Sequence, residues 1–430
     1  MSESGPRRRR RVWPWIWAVL AVVLVVRTGV RDRGVITDSL EFGRRVLAGE
    51  DLYAPYLEEG PLHPPYPPGF GVLMAPFSLL PERIARFAWG LLQVAALGAI
   101  GLWLRGALRR RAPALEPKLH VLWALTAVMT ARYVLRDMHG GGGNLVNLAL
   151  VLAGCGLALR DRWLTAGLLL GFSLATKPTH ALFLPLWWWF GWRRAAGVAV
   201  AAMLATTGLA LLGLGQGLAP LTHWLRGTLA YGSQQDLFAE PELGFPPFTW
   251  MNQCLRCAVA RFAGVVPEPW VSEVPGFRQG LGLPPVATAW IARLASLLML
   301  GTTAWVAWRR RQARDSLIAA LLCLSLLLSL ISWKAHHVAL IPVWFLLSIR
   351  ALQGSRAVVV FAAVYVVACT LGEELVGKDL KQVQQSLYLV TAGTIALWGF
   401  CLWDAWRTPR PAGPGAGGRT APLHPAAPVE

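Results

Sequence analysis

Between Val12 and Trp406 the chain keeps returning to apolar runs whose length approaches the ~20 residues that a helix needs to cross a hydrocarbon layer. They lie near 12–30, 84–106, 119–136, 144–160, 163–177, 179–191, 195–214, 286–308, 316–332, 335–350, 356–372 and 386–405. A lipid interior offers backbone N–H and C=O groups no water, so such runs are viable as helices that bond their own backbone. The expectation is therefore an all-α integral membrane protein, a polytopic helical bundle with about 12 transmembrane helices, roughly 10 to 13. Several runs are short, which suits tilted or broken spans or spans buried among neighbours. The first lacks a small-residue cleavage site and ends directly on arginines, so it reads as a span rather than a leader. Composition agrees: 55% of residues are hydrophobic and 15% charged, against about a quarter charged in soluble domains.

The formal charge of +18 would suit a nucleic-acid partner if it were spread over one surface, but it comes in short clusters between the apolar runs. Arg7 to Arg11, Arg109 to Arg111, Arg160/Arg162, Arg193/Arg194, Arg309 to Arg311 and Arg350/Arg356 fall on alternate connections, the pattern that holds one side of a membrane protein in the cytoplasm. Nucleic acid is excluded on this reading, and the cell membrane is the expected location. Residues 1–11 form a basic cytoplasmic N-terminus, 12–406 a single polytopic domain with long outer loops at 31–83 and 215–285, and 407–430 a Pro/Gly-rich, disordered cytoplasmic tail. Six cysteines are scattered. Cys254 and Cys257 form a CxxC, which by itself fits helix-face packing better than metal or redox use.

The uncommon polar groups gather on the connections of the other side: Asp38, Glu41, Asp51, His63, Asp137, His139, Asn144, Lys177, His180, Asn252, Gln253, Lys334, His336 and His337. Ionisable groups at span ends are costly to bury, which makes them candidates for chemistry, although a lysine there also snorkels to the interface. Asp38-Ser39-Leu40-Glu41 has the form of a capping box opening an amphipathic segment, Leu40–Leu47, that ends at Gly49. Pro178 breaks a span and leaves Lys177 at its edge. Asn144 follows a four-glycine run and serves equally as a helix cap. Asn252 and Gln253 stand in an aromatic loop suited to sugar stacking or to loop packing.

An ordered set of fragments carries a resemblance: Asp38 followed by GEDLYAPY and YPPGFGVLMAPFSLLP, then GGGGNLVNL, LATKPTHALFLPL, WMNQCLRCAVARF and LISWKAHHVALIP. In this order the chain resembles the GT-C class of membrane glycosyltransferases and, more closely, glycosyltransferase family 87, whose members use polyprenol-phosphate-mannose. It departs from the family pattern where Gly143 precedes Asn144 in place of glutamine and where Cys254 follows Gln253 in place of serine. The resemblance implies an inverting transferase at the outer membrane face. A carboxylate takes the acceptor hydroxyl's proton, cationic or hydrogen-bonding groups hold the departing phosphate, and no cofactor or essential metal takes part. It points to Asp38 as base and His337 as phosphate-side catalyst. Lys177, His336, Lys334 and Asn144 are then donor-phosphate or sugar contacts, and Asn252, Gln253, Tyr53 and Tyr66 acceptor contacts. The partners implied are a polyprenyl-phosphate sugar, a glycolipid or glycan acceptor and the surrounding lipids. The alternatives are a transferase using another lipid-linked sugar such as arabinose, or a lipid or sugar transporter. A transporter would show paired hydropathy halves and ionisable residues near the bilayer middle.

Overall fold

The structure is a computed structural model that describes residues 12–31, 34–53, 66–239 and 246–409. The basic segment 1–11, most of the tail 407–430, and Tyr56 and His63 of the first outer loop lie outside the described residues. The chain is all-α, and its one isolated β-bridge among the described residues joins Gly264 and Leu283. The helices are α1 (Val12–Val30), α2 (Val35–Ala48), α3 (Gly69–Ser78), α4 (Glu82–Arg111), α5 (Leu119–Gly140), α6 (Asn144–Ala158), α7 (Trp163–Thr176), α8 (Phe183–Trp189), α9 (Arg193–Leu214), α10 (Ala219–Ser233), α11 (Leu255–Ala263), α12 (Pro285–Arg309), α13 (Arg314–Leu328), α14 (Ile341–Leu352), α15 (Arg356–Tyr365), α16 (Lys378–Ser386) and α17 (Leu389–Arg407). Six helical stretches among the described residues are long and apolar enough to cross a membrane. A seventh is the pair 113–140 and 144–158, which bends by 115° at the glycine turn. Runs such as 163–177, 179–191 and 356–372 fold into shorter or broken helices, so length and hydropathy alone pick out fewer spans than the expected 12.

The interior is built from helices that are apolar all round, which only a buried helix tolerates. Residues 315–327 of α13 and 341–349 of α14 are buried throughout, whereas α1, α9 and α12 turn large aliphatic side chains outward, as lipid-facing helices do. Helix association in lipid depends on close packing rather than on a hydrophobic drive. Gly167 and Gly171 on α7 supply that closeness: a methyl at Gly167 would come within 2.6 Å of Ala195 O on α9.

The two ends of the bundle differ. At one end Arg110 pairs with Asp315 at 2.6 Å, and buried Asp404 takes Arg111, Arg350 at 2.5 Å and Ser316 Oγ at 2.6 Å. At the other end meet the start of α2, the turn between α5 and α6, the break after α7 and a 3-10 segment, Lys334–Leu340, that leads into α14. Both long loops contain helices. The first holds α2, which begins four residues earlier than the capping box implied, with Gly34 at its N-cap and Gly49 at its C-cap. Asp38 is therefore inside the first turn and is not the cap. Arg86 of α4 anchors this start by donating to Arg31 O at 2.5 Å, to Thr37 Oγ1 at 3.3 Å and to Glu82 at 2.6 Å.

Candidate active site

Asp38 is exposed in the first turn of α2, where the helix dipole favours a carboxylate. Nearby, Glu41 pairs with Arg44 at 3.2 Å and Arg45 at 3.0 Å, and Asp51 Oδ1 accepts from Tyr53 N at 2.9 Å. One helical turn beyond Asp38 is Phe42, whose ring meets those of Tyr53 and Tyr66 edge-on. Tyr53 is buried and donates its hydroxyl to Tyr66 O at 3.1 Å, so it supports Tyr66 from behind. Tyr66 in turn stacks on Phe70, with ring centroids 3.9 Å apart.

Over the Tyr66 ring, 5.3 Å from its centroid, lies Lys177 Nζ. Lys177 is half-buried at the α7 break, and its ammonium donates to Gly142 O at 3.5 Å. No acidic group stands within salt-bridge distance of it among the described residues. Burial pulls its pKa from the usual 10.5 to about 8, with Asp137 opposing. His180, buried just beyond Pro178, is lowered to about 4 by burial and by the Lys177 charge, so it is neutral.

The turn under Lys177 is held by Asp137, which is 0% exposed. Its Oδ1 accepts from Asn144 Nδ2 at 2.6 Å and its Oδ2 from Leu145 N at 2.9 Å. A carboxylate seven residues upstream thus caps α6, and Asn144 spends its amide on that carboxylate. Gly141 makes the turn possible: its φ is 71°, and a side chain there would strike Ile36 at the start of α2. The same contact holds Asp38's helix against the Lys177 turn.

His336 and His337 part company. A 3-10 helix has three residues per turn, so Lys334 and His337 eclipse while His336 faces another way. His336 Nδ1 accepts from Trp333 N at 2.9 Å, which leaves the ring's proton on Nε2 as a free donor, and its ring lies within reach of the Lys177 charge. His337 is buried, donates from Nδ1 to Trp333 O at 3.0 Å, packs on Tyr133 and neighbours Lys334. The pair expected to act together is split, with His336 beside Lys177 and His337 and Lys334 on the other side of the 3-10 segment.

Asn252 is fully used within the protein. Its Nδ2 donates to Pro247 O at 3.0 Å and Leu330 O at 3.1 Å, and its Oδ1 accepts from Ser332 N at 2.8 Å. It ties the long loop to the base of the 3-10 segment. Gln253 donates to Trp250 O at 2.8 Å and Gln385 O at 3.2 Å, which leaves its buried Oε1 unpartnered among the described residues. Cys254 and Cys257 are buried free thiols in the same loop core. The roles of Asp137 and Tyr133 escaped the sequence reading; the only signal was the spacing of Asp137 ahead of Asn144 across a glycine run, which permits a carboxylate to fold back over a helix start.

Lys177, His336 and the Tyr66 ring thus lie together, with the helix that bears Asp38 packed beside them. Two comparisons extend this geometry. The profile of glycosyltransferase family 87 matches residues 65–333, well over half of the chain; this stretch includes Lys177, Asn144 and Asn252, whereas Asp38, Lys334 and the histidine pair lie outside it. The chain is also 29% identical over 310 residues to a polyprenol-phosphate-mannose-dependent alpha-(1-2)-phosphatidylinositol pentamannoside mannosyltransferase of Mycolicibacterium smegmatis, covering 71% of this chain and 66% of that protein. A protein of the same description from Mycobacterium tuberculosis is 29% identical over 300 residues, covering 69% and 61%. The chain thus spans slightly less than two thirds of the length of these relatives. No solved structure matches it.

Proposed function

The chain belongs to glycosyltransferase family 87, and from that membership we propose that it is an inverting transferase moving a sugar, mannose first among candidates, from a polyprenyl phosphate to a glycolipid or glycan acceptor. The relatives' described donor and phosphatidylinositol-mannoside acceptor make those the first substrates to try. The site faces the outside of the cell membrane on this reading, because the arginine-rich end of the bundle takes the cytoplasm.

The observation that carries the proposal is Lys177, a half-buried cation with no acid partner, held on Tyr66 beside the helix that bears Asp38. Asp38 accepts the proton of the acceptor hydroxyl as that oxygen attacks the anomeric carbon. The bond from that carbon to the phosphate oxygen breaks on the opposite face. Its electron pair leaves on the phosphate, where Lys177 and the Nε2–H of His336 hold the charge that develops. His337, sealed against Tyr133, fixes the shape of the 3-10 segment that presents His336. Tyr66 walls the donor sugar, and Gln253 offers one acceptor oxygen. A carrier would place its ionisable groups near the middle of the bundle, whereas these collect at one end.

The test is purified protein in detergent, given a panel of polyprenyl-phosphate sugars with phosphatidylinositol-mannoside acceptors, with product followed by mass. A new glycoside from the mannose donor is expected. Absence of product from every donor, with a folded and donor-binding protein, overturns the proposal.

A further inference from the structure

The other side of the 3-10 segment presents a cation cluster that the transfer step does not use. Arg132 of α5 donates from Nη1 to Thr370 O at 3.1 Å and to Leu371 O, and Lys381 of α16 donates from Nζ to the same Leu371 O at 3.3 Å and to Gln384 Oε1 at 3.2 Å. A guanidinium and an ammonium thus converge on one carbonyl. Lys334 brings a third basic side chain alongside Lys381, and Arg136 adds its charge from the exposed rim. Lys381 is only 6% exposed.

Like charges this close repel strongly where water is scarce, and the repulsion grows as the effective dielectric falls. Proteins answer such clusters with acids in contact, as the opposite end of this bundle does. Here Glu373 and Glu374 are the nearest acids, and among the described residues neither forms an ion pair with Arg132, Lys334 or Lys381. Glu374 lies over Gly372, as does the Arg132 guanidinium, so this carboxylate is near the cluster but not in contact with it. The donors converge, and Glu374 offsets part of their charge from nearby without a salt-bridge contact. A phosphate oxyanion supplies what this arrangement lacks, since ammonium and guanidinium groups are its strongest hydrogen-bond donors.

We infer that Arg132, Lys334 and Lys381 form a second anion site that holds the phosphate group of a substrate lipid, separated from the Lys177 and His336 site by the 3-10 segment. The inference rests on the proposed function only in calling that lipid a substrate. A monoester phosphate would come from the polyprenyl carrier and a diester phosphate from a phosphoinositide acceptor, and both meet the same three donors. Burial lowers the Lys381 ammonium below the usual lysine range, and the Arg132 charge adds to that; a bound phosphate reverses the effect.

The test uses the full chain in detergent and reads melting temperature against increasing farnesyl phosphate, phosphatidylinositol or zwitterionic phosphatidylcholine. The wild type is compared with Lys381→Met, Lys381→Arg and Lys334→Gln. Wild type is expected to gain stability with at least one phosphate lipid beyond the phosphatidylcholine control. Loss of one charge-assisted contact should weaken that binding about 10- to 100-fold, and Lys381→Arg should restore it. Without lipid, Lys381→Met should melt at or above the wild-type temperature, because the repulsion is relieved. A purely structural lysine would lower it. Loss of the farnesyl phosphate shift alone identifies the carrier phosphate, loss of the phosphatidylinositol shift alone the acceptor phosphate, and loss of both a shared site. Should Lys381→Met not fold, Lys334→Gln carries the same comparison. Unchanged affinities in the folded variants overturn the inference. None of these readings needs sugar transfer, so a protein that binds here but transfers nothing would sink the proposed function alone.

Discussion

Both ends of the bundle hold positive charge, and the buried part of it is treated differently at each. At the arginine-rich end Asp404, 2% exposed, gathers Arg111, Arg350 and Ser316 while Asp315 takes Arg110. Other arginines there, such as Arg310 and Arg407, lie over the rings of Trp406 and Trp403. At the opposite end Lys177, Lys334, Lys381 and Arg132 have no acid in contact among the described residues. Asp137, the buried acid closest to hand, spends its oxygens on the start of α6. Cations balanced inside the fold serve the fold; cations left unbalanced and partly buried carry a cost that a ligand's negative charge removes. On the proposed function, the difference marks the end that holds Lys177 as the binding end.

The comparison breaks first at Asp404. Asp404→Ala leaves Arg111 and Arg350 without their buried partner and should destabilise the protein by about 3 kcal/mol, read by chemical denaturation, with donor KM unchanged in whatever remains folded. A changed KM with unchanged stability would mean the ends are not divided as described. Next comes Lys177→Met, which should raise donor KM by about 10- to 100-fold through loss of a charged contact to phosphate. It should leave the melting temperature level or higher, the opposite pattern.

A pH profile sharpens the same contrast. With a pKa of about 8, Lys177 is charged below that value and loses its proton as pH rises through it. Donor kcat/KM, which reports the free enzyme, should therefore be flat up to near pH 7 and fall above about pH 8, while kcat holds to higher pH because bound phosphate keeps the ammonium charged. Lys177→Arg should remove the fall, since a guanidinium stays protonated throughout. A profile unchanged in Lys177→Arg would assign the titration elsewhere. The smallest effect separates the histidines: His336→Ala should lower kcat by about 10-fold or more through loss of a donor to the leaving phosphate. His337→Ala should act chiefly through stability, with packing on Tyr133 lost. Equal kcat losses at unchanged stability would restore the pair to a shared role.

The helical class was legible in the apolar runs, and the gathering of arginines at one end of the bundle in the alternating clusters. The breaks within the runs were not, because a run of apolar residues carries the same pattern whether its helix is continuous or short and broken, as in 163–177 and 179–191. Lys177 and His336 were legible from Pro178 and from the WKAHH string. The separation of His336 from His337 was not, since it follows from a 3-10 rather than α-helical turn at Lys334. Asp38 was legible as a candidate, but its capping role was not realised: α2 starts at Val35 because Arg86 ties residues 31 and 37 to α4. The convergence of Arg132, Lys334 and Lys381 joins residues about 200 or more positions apart at its widest, and no local pattern records it.

The central claim is that Asp38 is the base of a sugar transfer from a polyprenyl phosphate, and the most direct measurement is single-turnover transfer by purified Asp38→Asn protein with donor binding measured in parallel. Asn fits the first turn of α2 without loss of a cap, so folding and donor affinity should match wild type while transfer falls by about 10²-fold or more. Near-native transfer by Asp38→Asn would contradict the account and leave the proton's acceptor to be found elsewhere in the site.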